Sequence, residues 1–344
     1  MRAALLATRL AQIRAVPATS SWKAGVNQLT DRTDAELKAL RGVKKSEVHA
    51  RRGFAAPRSA YAVDYAAAPK TNAAQTVCND DPDTQFSFCD WRDKGVVTAV
   101  KDQGGCGSCW SFAAMETLES HWAIHTGKLE DLSEQQMLDC SPNPKECGGT
   151  GGCGGATSEI GYEMLAAAGG GVTSEFSYPY ESYGGKNYEC RAAGKLFIAN
   201  VTGYVRLPEN DQEATMEAIT NIGPLAVSMD ASHWYLYDSG VFTSCPEDGE
   251  DVDIDHALEM VGFGTDADSG LSYWTIRNSW GDSWGEAGYI RIARTPNVLH
   301  CSTDDEPYDG SDCRNVTVPT DEVKVCGACG ILYDVNYPLV SDLS

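Results

Sequence analysis

Long apolar runs are missing from this sequence of 344 residues, and nothing in it approaches the ~18 consecutive apolar residues a membrane-spanning helix needs. Basic residues are outnumbered, 27 against 49 acidic ones, which leaves a formal charge of −22 and a pI near 4.5. A surface of that sign repels nucleic acid and anionic membranes, so neither is expected as a partner. Histidine is rare, at six residues. Only His121 and His125 stand four apart on one helical face, and no nearby Asp, Glu or Cys set completes a site. No metal or other cofactor is therefore expected. Internal repeats are absent. So is cysteine from the first 77 residues.

What is present is concentrated further along. Thirteen cysteines lie at or beyond Cys78. That number has little structural use in a reducing cytosol and points to an oxidising compartment. The count is odd, so pairing twelve leaves one thiol. Two sequons, at Asn200 and Asn315, agree with secretory passage and a glycoprotein. The apolar stretch Ala3–Ala7 is shorter than a signal-peptide core. Taken with the cysteines, it predicts a true start upstream of Met1.

Composition divides the chain. A basic, Ala-rich leader and an Ala-, Pro- and Asp-rich linker (66–83) make up residues 1–83. An acidic, cysteine-bearing body follows. A basic segment ahead of an acidic body predicts a contact between them, against the alternative of a disordered tail. In the body, Ala114, Leu118 and Trp122 recur at four-residue steps in a helix that begins at Cys109 and is capped by Gly127. Further helices are expected over 133–140 and near 156–168. Beyond Tyr204 the pattern becomes short β-rich runs at 225–229, 257–263, 273–277 and 289–293. Helices first and strands later predict an α+β protein of two lobes, 84–205 helical and 206–344 β-rich.

A cysteine at a helix start can be stabilised as a thiolate by unpaired N–H groups and the positive dipole end. Cys109 has that position, behind the glycine-rich turn 103–108, and Gln103 supplies a side-chain donor for an oxyanion. The spacing from Cys106 to Cys109 also admits a structural pair. A zinc ribbon would need a second such pair ~15–20 residues on, and the only other one is Cys326 to Cys329. A thioredoxin-type motif would need alternating βαβ surroundings, which are lacking.

The run Lys101–Ala113, with Cys106-Gly107-Ser108-Cys109-Trp110 at its centre, resembles the active-site peptide of the papain and cathepsin L-like cysteine proteases. Ile254-Asp255-His256-Ala257-Leu258 resembles that family's histidine segment. Arg277-Asn278-Ser279-Trp280-Gly281 resembles its asparagine segment. The resemblance runs from about Asp90 to Leu339 and implies a two-lobed fold with a cleft between a helical and a β-barrel-like lobe. It implies that Cys109 is the nucleophile, His256 the general base and acid, Gln103 an oxyanion donor and Asn278 the group that orients His256 beneath Trp280. It further implies disulfides Cys106–Cys153, Cys140–Cys190 and Cys245–Cys329. Cys78, Cys89, Cys147, Cys301, Cys313 and Cys326 are left unassigned. Gly155, Ala156, Thr157, Ser158, Ser228, Ile254 and Ala257 would line the substrate cleft, with Asp334 at the base of the pocket for the second residue before the scissile bond (P2). Ala156 stands where the family has a backbone-binding glycine.

The leader segment Gly25–Asp31, with Thr33, Glu36 and Leu37, resembles an inhibitory propeptide whose long preceding helices are mostly absent. The implied protein is a monomeric zymogen in a lysosome-like or secreted setting, acting on peptides and proteins and open to cystatin-type inhibitors. Two other readings remain at this point. One is a catalytically dead relative that binds peptides, and the other is a transferase or ligase that uses the same thioester.

Overall fold

The computed structural model describes residues 2–44, 59–68, 88–144, 146–246, 248–295, 299–305 and 322–343. Cys78, Cys313, Asn315 and most of the expected linker lie outside them.

The helical lobe is built on α3 (Cys109–Thr126), with α4 (Glu134–Cys140) and α5 (Ser158–Ala167) packed against it. These labels follow α1 (Arg2–Ala15) and α2 (Asp34–Leu40) of the leader. The four-residue apolar steps of α3 are all buried, and so is every other residue of the helix through Ala123. A helix apolar or packed on every side belongs in the middle of a protein, and α3 separates the two cores. Gly127 ends it in the left-handed region, at φ 72°, donating to the Ala123 carbonyl. Ser133 caps α4 by accepting from the Gln136 N–H at 2.9 Å.

The leader strands are β1 (Trp22–Ala24) and β2 (Ala62–Asp64), and the body opens with β3 (Cys89–Asp90) and β4 (Gly171–Val172). Then come β5 (Ala199–Arg206), β6 (Leu225–Met229), β7 (Tyr237–Phe242), β8 (His256–Thr265), β9 (Ser272–Arg277) and β10 (Tyr289–Ala293). The last three are β11 (Cys301–Asp304), β12 (Val323–Cys326) and β13 (Asp334–Val340). One large sheet runs in the order β1-β7-β10-β9-β8-β6-β13-β5-β2. Its apolar side, with Trp234, Trp274, Trp284, Phe242, Met260 and Ile290, forms the larger core. The β11–β12 hairpin stands apart as a two-stranded sheet.

The two cores are not contiguous in sequence. Cys89, Trp91 and Val96 come before α3 yet pack in the core of the β-rich lobe, and β3 pairs with β8. Val340, at the far end, packs against the helical core. A division at 205/206 therefore describes the bulk of each lobe, while each also takes a segment from the other's side.

Cys106–Cys153, Cys140–Cys190 and Cys245–Cys329 are bonded, and Cys301–Cys326 closes the hairpin. The Cys326/Cys329 pair of the sequence is thus split between two bridges. Cys89 and Cys147 are also in disulfides.

A network of buried charge lies across the face where the lobes meet. Lys101 donates to Glu119 at 2.6 Å, to Asp131 at 2.7 Å and to Glu134. Arg277, with no exposed surface, approaches Glu259 at 3.3 Å and Glu116 at 3.4 Å. Ser120 donates to Glu259 at 2.7 Å. Lys101 belongs to the strand-like run before α3, Glu116 and Glu119 to α3, Glu259 to β8 and Arg277 to β9, so the network ties both lobes at the level of the cleft.

Candidate active site

The helix start and the sheet bring the four expected catalytic side chains together. Cys109 opens α3, is fully buried, and is the free cysteine among the described residues. His256 opens β8, and Asn278 follows directly on β9. His256 Nε2 lies 2.9 Å from Asn278 Oδ1. Asn278 Oδ1 also accepts from the Ser279 N–H at 2.8 Å, which fixes the amide. With Nε2 engaged, Nδ1 is the nitrogen left over. It is buried and makes no hydrogen bond. The imidazole stacks on Trp280, with ring centroids 4.8 Å apart, and Trp234 closes the other side of the cluster at 6.0 Å. Trp280 thus covers the His–Asn bond.

Gln103 is held at both ends of its amide. Its Oε1 accepts from Ser279 Oγ at 2.7 Å, and its backbone N–H donates to the Ser279 carbonyl at 2.9 Å. Its Nε2 points the other way, donating at 2.7 Å to the Cys106 carbonyl and at 2.7 Å to the Leu40 carbonyl.

Leu40 belongs to the leader, which is folded and lies across the cleft. The helix α1 is a finding, since the sequence predicted the leader's helices to be mostly missing. Its Arg9 is buried, pairs with Asp34 and lies over the Tyr235 ring, 4.6 Å from the centroid. β1 adds to the sheet beside β7. Asn27 donates to the Tyr235 carbonyl at 2.9 Å. Thr33 and Glu36 form a capping box that starts α2. The chain then crosses Cys109 in an extended run. The Gly42 N–H donates to Cys109 Sγ at 3.1 Å, and the Ala257 N–H approaches the same sulfur at 3.4 Å. The Gly42 carbonyl accepts from the Ala156 N–H at 3.0 Å. The Val43 N–H donates to the Asp255 carbonyl at 3.0 Å, and the Lys44 N–H to the Gly148 carbonyl at 2.8 Å. Gly42 has to be glycine, because a Cβ there would stand 2.1 Å from the Gly107 carbonyl oxygen and 3.1 Å from Cys109 Sγ. Gly155, at φ 96°, faces the Gly42 carbonyl just as closely. Arg41 pairs with Asp255, the residue before the histidine. That ion pair is the leader-to-body contact expected from the charge asymmetry.

Covered in this way, the dyad is uncharged. Burial pushes the Cys109 thiol up to about 11, against the two N–H groups that favour its thiolate. Burial likewise pulls His256 down to about 4, and the Arg41 guanidinium disfavours the imidazolium further.

The other cleft residues divide into two groups. Ala257 on β8 is opposite Ser228 on β6, and Ser228 is opposite Asp334 on β13. Cross-strand partners share a face, so the three side chains line one wall. Ser228 Oγ donates to Asp334 Oδ2 at 2.8 Å, and Asp334 is only 1% exposed. Thr157 precedes α5 and Ser158 begins it, Ser158 Oγ donating to the Trp110 carbonyl at 3.3 Å. Val43 of the leader is buried in the apolar cluster that holds Ala156, Ala257 and Tyr204. Ile254 departs from the expectation. It packs with Val252, Val325 and Tyr333 beside the hairpin, away from the Ala257–Ser228–Asp334 wall. On the other side of the dyad, Leu37, Arg41, Ala231, Tyr235 and Trp280 line a recess of about 230 Å³. His121 and His125 are structural. The first is buried against the Pro224 carbonyl at 2.9 Å, and the second meets Asp342 at 3.1 Å.

Sequence reasoning missed the residues behind the wall. Glu159 on α5 and Arg206 on β5 approach Asp334 from two further elements. Glu159 stood next to the expected Thr157 and Ser158, and only that adjacency could have flagged it.

The family model described as papain family cysteine protease matches residues 86–310. Cathepsin L of Sarcophaga peregrina is 42% identical over 210 residues, covering 60% of this chain and 59% of that protein. Procathepsin L of Rattus norvegicus is 42% identical over 219 residues, covering 62% and 61%. The chain thus spans about three fifths of the length of these curated relatives. Among solved structures, the proform of the ragweed pollen allergen Amb a 11 cysteine protease superposes with a TM-score of 0.72 at 29% identity, covering 99% of this chain and 88% of that one. The bromelain protease from Ananas comosus in complex with the E64 inhibitor is 36% identical, with a TM-score of 0.57, covering 75% and 100%.

Proposed function

The chain belongs to the papain family of cysteine proteases, and from that membership and the geometry of its cleft we propose that it is a cysteine endopeptidase held as a zymogen by its own leader. One observation carries the reading. Cys109 Sγ, Gln103 Nε2 and the Ala156 N–H are all engaged by backbone atoms of residues 40–42. Those are the groups a peptide substrate would need, so the leader is a peptide already lying in the cleft.

The reaction follows from the chain's own groups. With the leader gone and water readmitted, the desolvation that keeps the dyad neutral is relieved. His256 Nδ1 takes the Cys109 proton, and the helix start favours the thiolate. The sulfur attacks the carbonyl carbon of the scissile peptide bond, and the developing oxyanion replaces the Leu40 carbonyl beside Gln103 Nε2. The imidazolium gives its proton to the leaving amine, the C–N bond breaks, and a thioester remains. Water attacks the thioester carbon while His256 accepts its proton. The carboxylic acid leaves and the thiol is restored. Asn278 and Trp280 hold the imidazole orientation through both halves.

Peptides and proteins are the substrates on this reading, and cystatin-type inhibitors are candidate ligands of the same cleft. The protein acts as a monomer. The disulfides fit a secreted or lysosome-like setting, and among the described residues no helix is long and apolar enough to cross a membrane. Cleavage that frees the body falls in the 66–86 region, mostly outside the described residues.

The test is stoichiometric labelling by E64 after acid activation, mapped by peptide mass. The label should fall on Cys109, and Cys109→Ser should abolish both labelling and hydrolysis while the circular dichroism spectrum stays unchanged. Near-wild-type hydrolysis by Cys109→Ser would remove the assignment.

A further inference from the structure

The turn before α3 leans on a second stretch of chain, residues 180–183, which holds none of the reacting groups. Tyr180 is 7% exposed and carries the contact. Its hydroxyl donates to the Gln103 backbone carbonyl at 2.9 Å and lies 2.7 Å from Ser108 Oγ. The phenol proton is committed to a carbonyl, which has none to give, so Ser108 is the donor in the second bond. Burial raises the phenol above its ordinary pKa, and it remains a neutral donor. One hydroxyl thus ties the backbone of Gln103, whose side chain supplies an oxyanion donor, to the residue directly before the nucleophile.

Ser108 is the N-cap of α3, yet its side chain makes no bond to the helix. A serine there normally accepts from the second or third N–H of the helix. Ser133 does so at α4. Ser108 points its hydroxyl at Tyr180 instead. The N–H groups of a first helical turn have no partner inside the helix. Left uncapped, those of α3 can serve, beside Gln103 Nε2, the charge that develops on a carbonyl bonded to Cys109 Sγ.

Tyr180 is itself held from several sides. Its N–H donates to Glu175 Oε1 at 2.7 Å, and its ring stands edge-on to Phe112 and to Tyr183, with centroids 4.9 Å away in each case. Gln135 Oε1 accepts from the Glu181 N–H at 2.7 Å and from the Ser182 N–H at 3.1 Å. The Gly105 N–H donates to the Tyr183 carbonyl at 2.7 Å. A Cβ at Gly104, where φ is 65°, would stand 2.7 Å from Tyr183 Cα. The turn is therefore set flush against a fixed edge.

We infer that Tyr180 is a positioning residue for the oxyanion site, holding Gln103 and the start of α3 in register through its hydroxyl and turning Ser108 away from the helix. This rests on the protease reading above. Without the hydroxyl, the Gln103 carbonyl loses a buried bond. Ser108 is then free to cap the helix start, which draws on the N–H groups that the oxyanion needs. The loss falls on the transition state, and peptide binding and thiolate formation are spared.

The experiment uses enzyme acid-activated from the full chain, with active sites titrated by E64. The readouts are kcat and KM on a fluorogenic peptide amide, and the rate at which Cys109 exchanges with dipyridyl disulfide. That exchange needs the thiolate but forms no oxyanion. Tyr180→Phe keeps the ring and removes the hydroxyl. It should lower kcat about tenfold, the worth of one hydrogen bond, with KM and the exchange rate within about twofold of wild type. Ser108→Ala cuts the same chain of bonds from its other end and should lower kcat about threefold, with the same split. In the Tyr180→Phe background it should cost nothing further, because the bond is already gone and the competing cap goes with it. An unchanged kcat in Tyr180→Phe overturns the inference, as do additive losses in the double variant. An exchange rate that falls in step with kcat also overturns it, since Tyr180 would then support the thiolate or the fold at large. In each of these cases E64 titration still upholds the protease. Should Tyr180→Phe fail to fold, an unchanged kcat in Ser108→Ala overturns the inference and the split in that variant upholds it. Absence of both labelling and hydrolysis in the unmutated enzyme overturns the protease reading and this inference together.

Discussion

Two clusters of buried charge in the body of the protein are built on different plans. The one between the lobes is bonded more directly, although Glu116 Oε1 and Arg277 Nε are buried there without a hydrogen bond. Lys101 makes three, and Glu119 accepts from Lys101, from Thr98 and, at 2.7 Å, from the Leu132 N–H. Arg277 adds Thr98 Oγ1 at 3.1 Å and the Ala99 carbonyl. The cluster at the pocket floor has its cation no nearer than 3.6 Å to any carboxylate. Charge closed by direct hydrogen bonds fixes geometry, here the relation of α3, with Cys109 at its start, to the strands that carry His256 and Asn278. Charge paired only at longer range constrains its neighbours less. The same residue types thus bond directly in one place and pair at longer range in the other.

The largest effect that would break this comparison comes from Arg277. Arg277→Met leaves Glu116 and Glu259 buried without their cation, a loss that costs about 3–5 kcal/mol when one partner of a buried pair is removed. Arg206→Met should cost clearly less, because the Arg206 side chain is 20% exposed and makes no close bond to the carboxylates. Urea denaturation of the full-length Cys109→Ser background, which prevents self-cleavage, measures both. Equal losses would mean that the floor cluster is structural as well.

Neither cluster was legible in the sequence. The meeting of Cys109, His256, Gln103 and Asn278 was, because each sits in a short motif whose neighbours specify its local geometry. The charges are different. Lys101, Glu116, Glu119, Glu134, Glu259 and Arg277 are spread over 177 positions, and only the pairing of β8 with β9 and the packing of both on α3 bring them together. Glu159 and Arg206 meet through the packing of α5 on β5, and Asp334 joins them through the pairing of β13 with β5. The leader failed to read as structure for the same reason. α1 has little periodic signal of its own and is held by tertiary contacts, chiefly Arg9 on Tyr235 and the β1–β7 pairing. Ile254 was misplaced because a single residue of sequence separates it from the dyad histidine while its side chain turns to the hairpin.

A third ion pair lies between the two clusters and sharpens the contrast, since it joins leader to body. Arg41 meets Asp255 with side chains 18% and 8% exposed. Asp255 is largely desolvated, which raises its carboxyl well above the usual range, while Arg41 pulls it down. A carboxyl raised in this way is protonated in the closed chain at pH values where an exposed one is ionised, so Asp255 opposes closure increasingly as pH rises, and Arg41 offsets that cost by pairing with the carboxylate. Arg41→Ala should weaken the leader's grip by about 1.5–3 kcal/mol, the worth of a hydrogen bond between charged groups. In the full-length protein, E64 should then label Cys109 faster, and most markedly at neutral pH, where Asp255 would lose its cation. An unchanged labelling profile would make Arg41 a bystander to the Gly42 contacts.

The smallest effect separates the clusters by proton linkage. Burial holds the carboxyls of Glu134 in the first cluster and Glu159 in the second above their ordinary range. Such a group stays protonated in the folded chain at pH values where the unfolded chain has ionised it. The native state then binds more protons, so stability is fully present below the ordinary carboxylate pKa and falls as pH rises toward the raised one. Each group contributes at most about 1.4 kcal/mol per pH unit. Glu134→Gln and Glu159→Gln should each flatten the decline in unfolding free energy above pH 4.5, measured in urea across a pH series on the Cys109→Ser background. The clusters share no residue, so the two flattenings should add in the double variant. A double variant no flatter than either single one would mean that the two sets titrate as one network through the body of the protein, and the division between the two clusters would have to be given up.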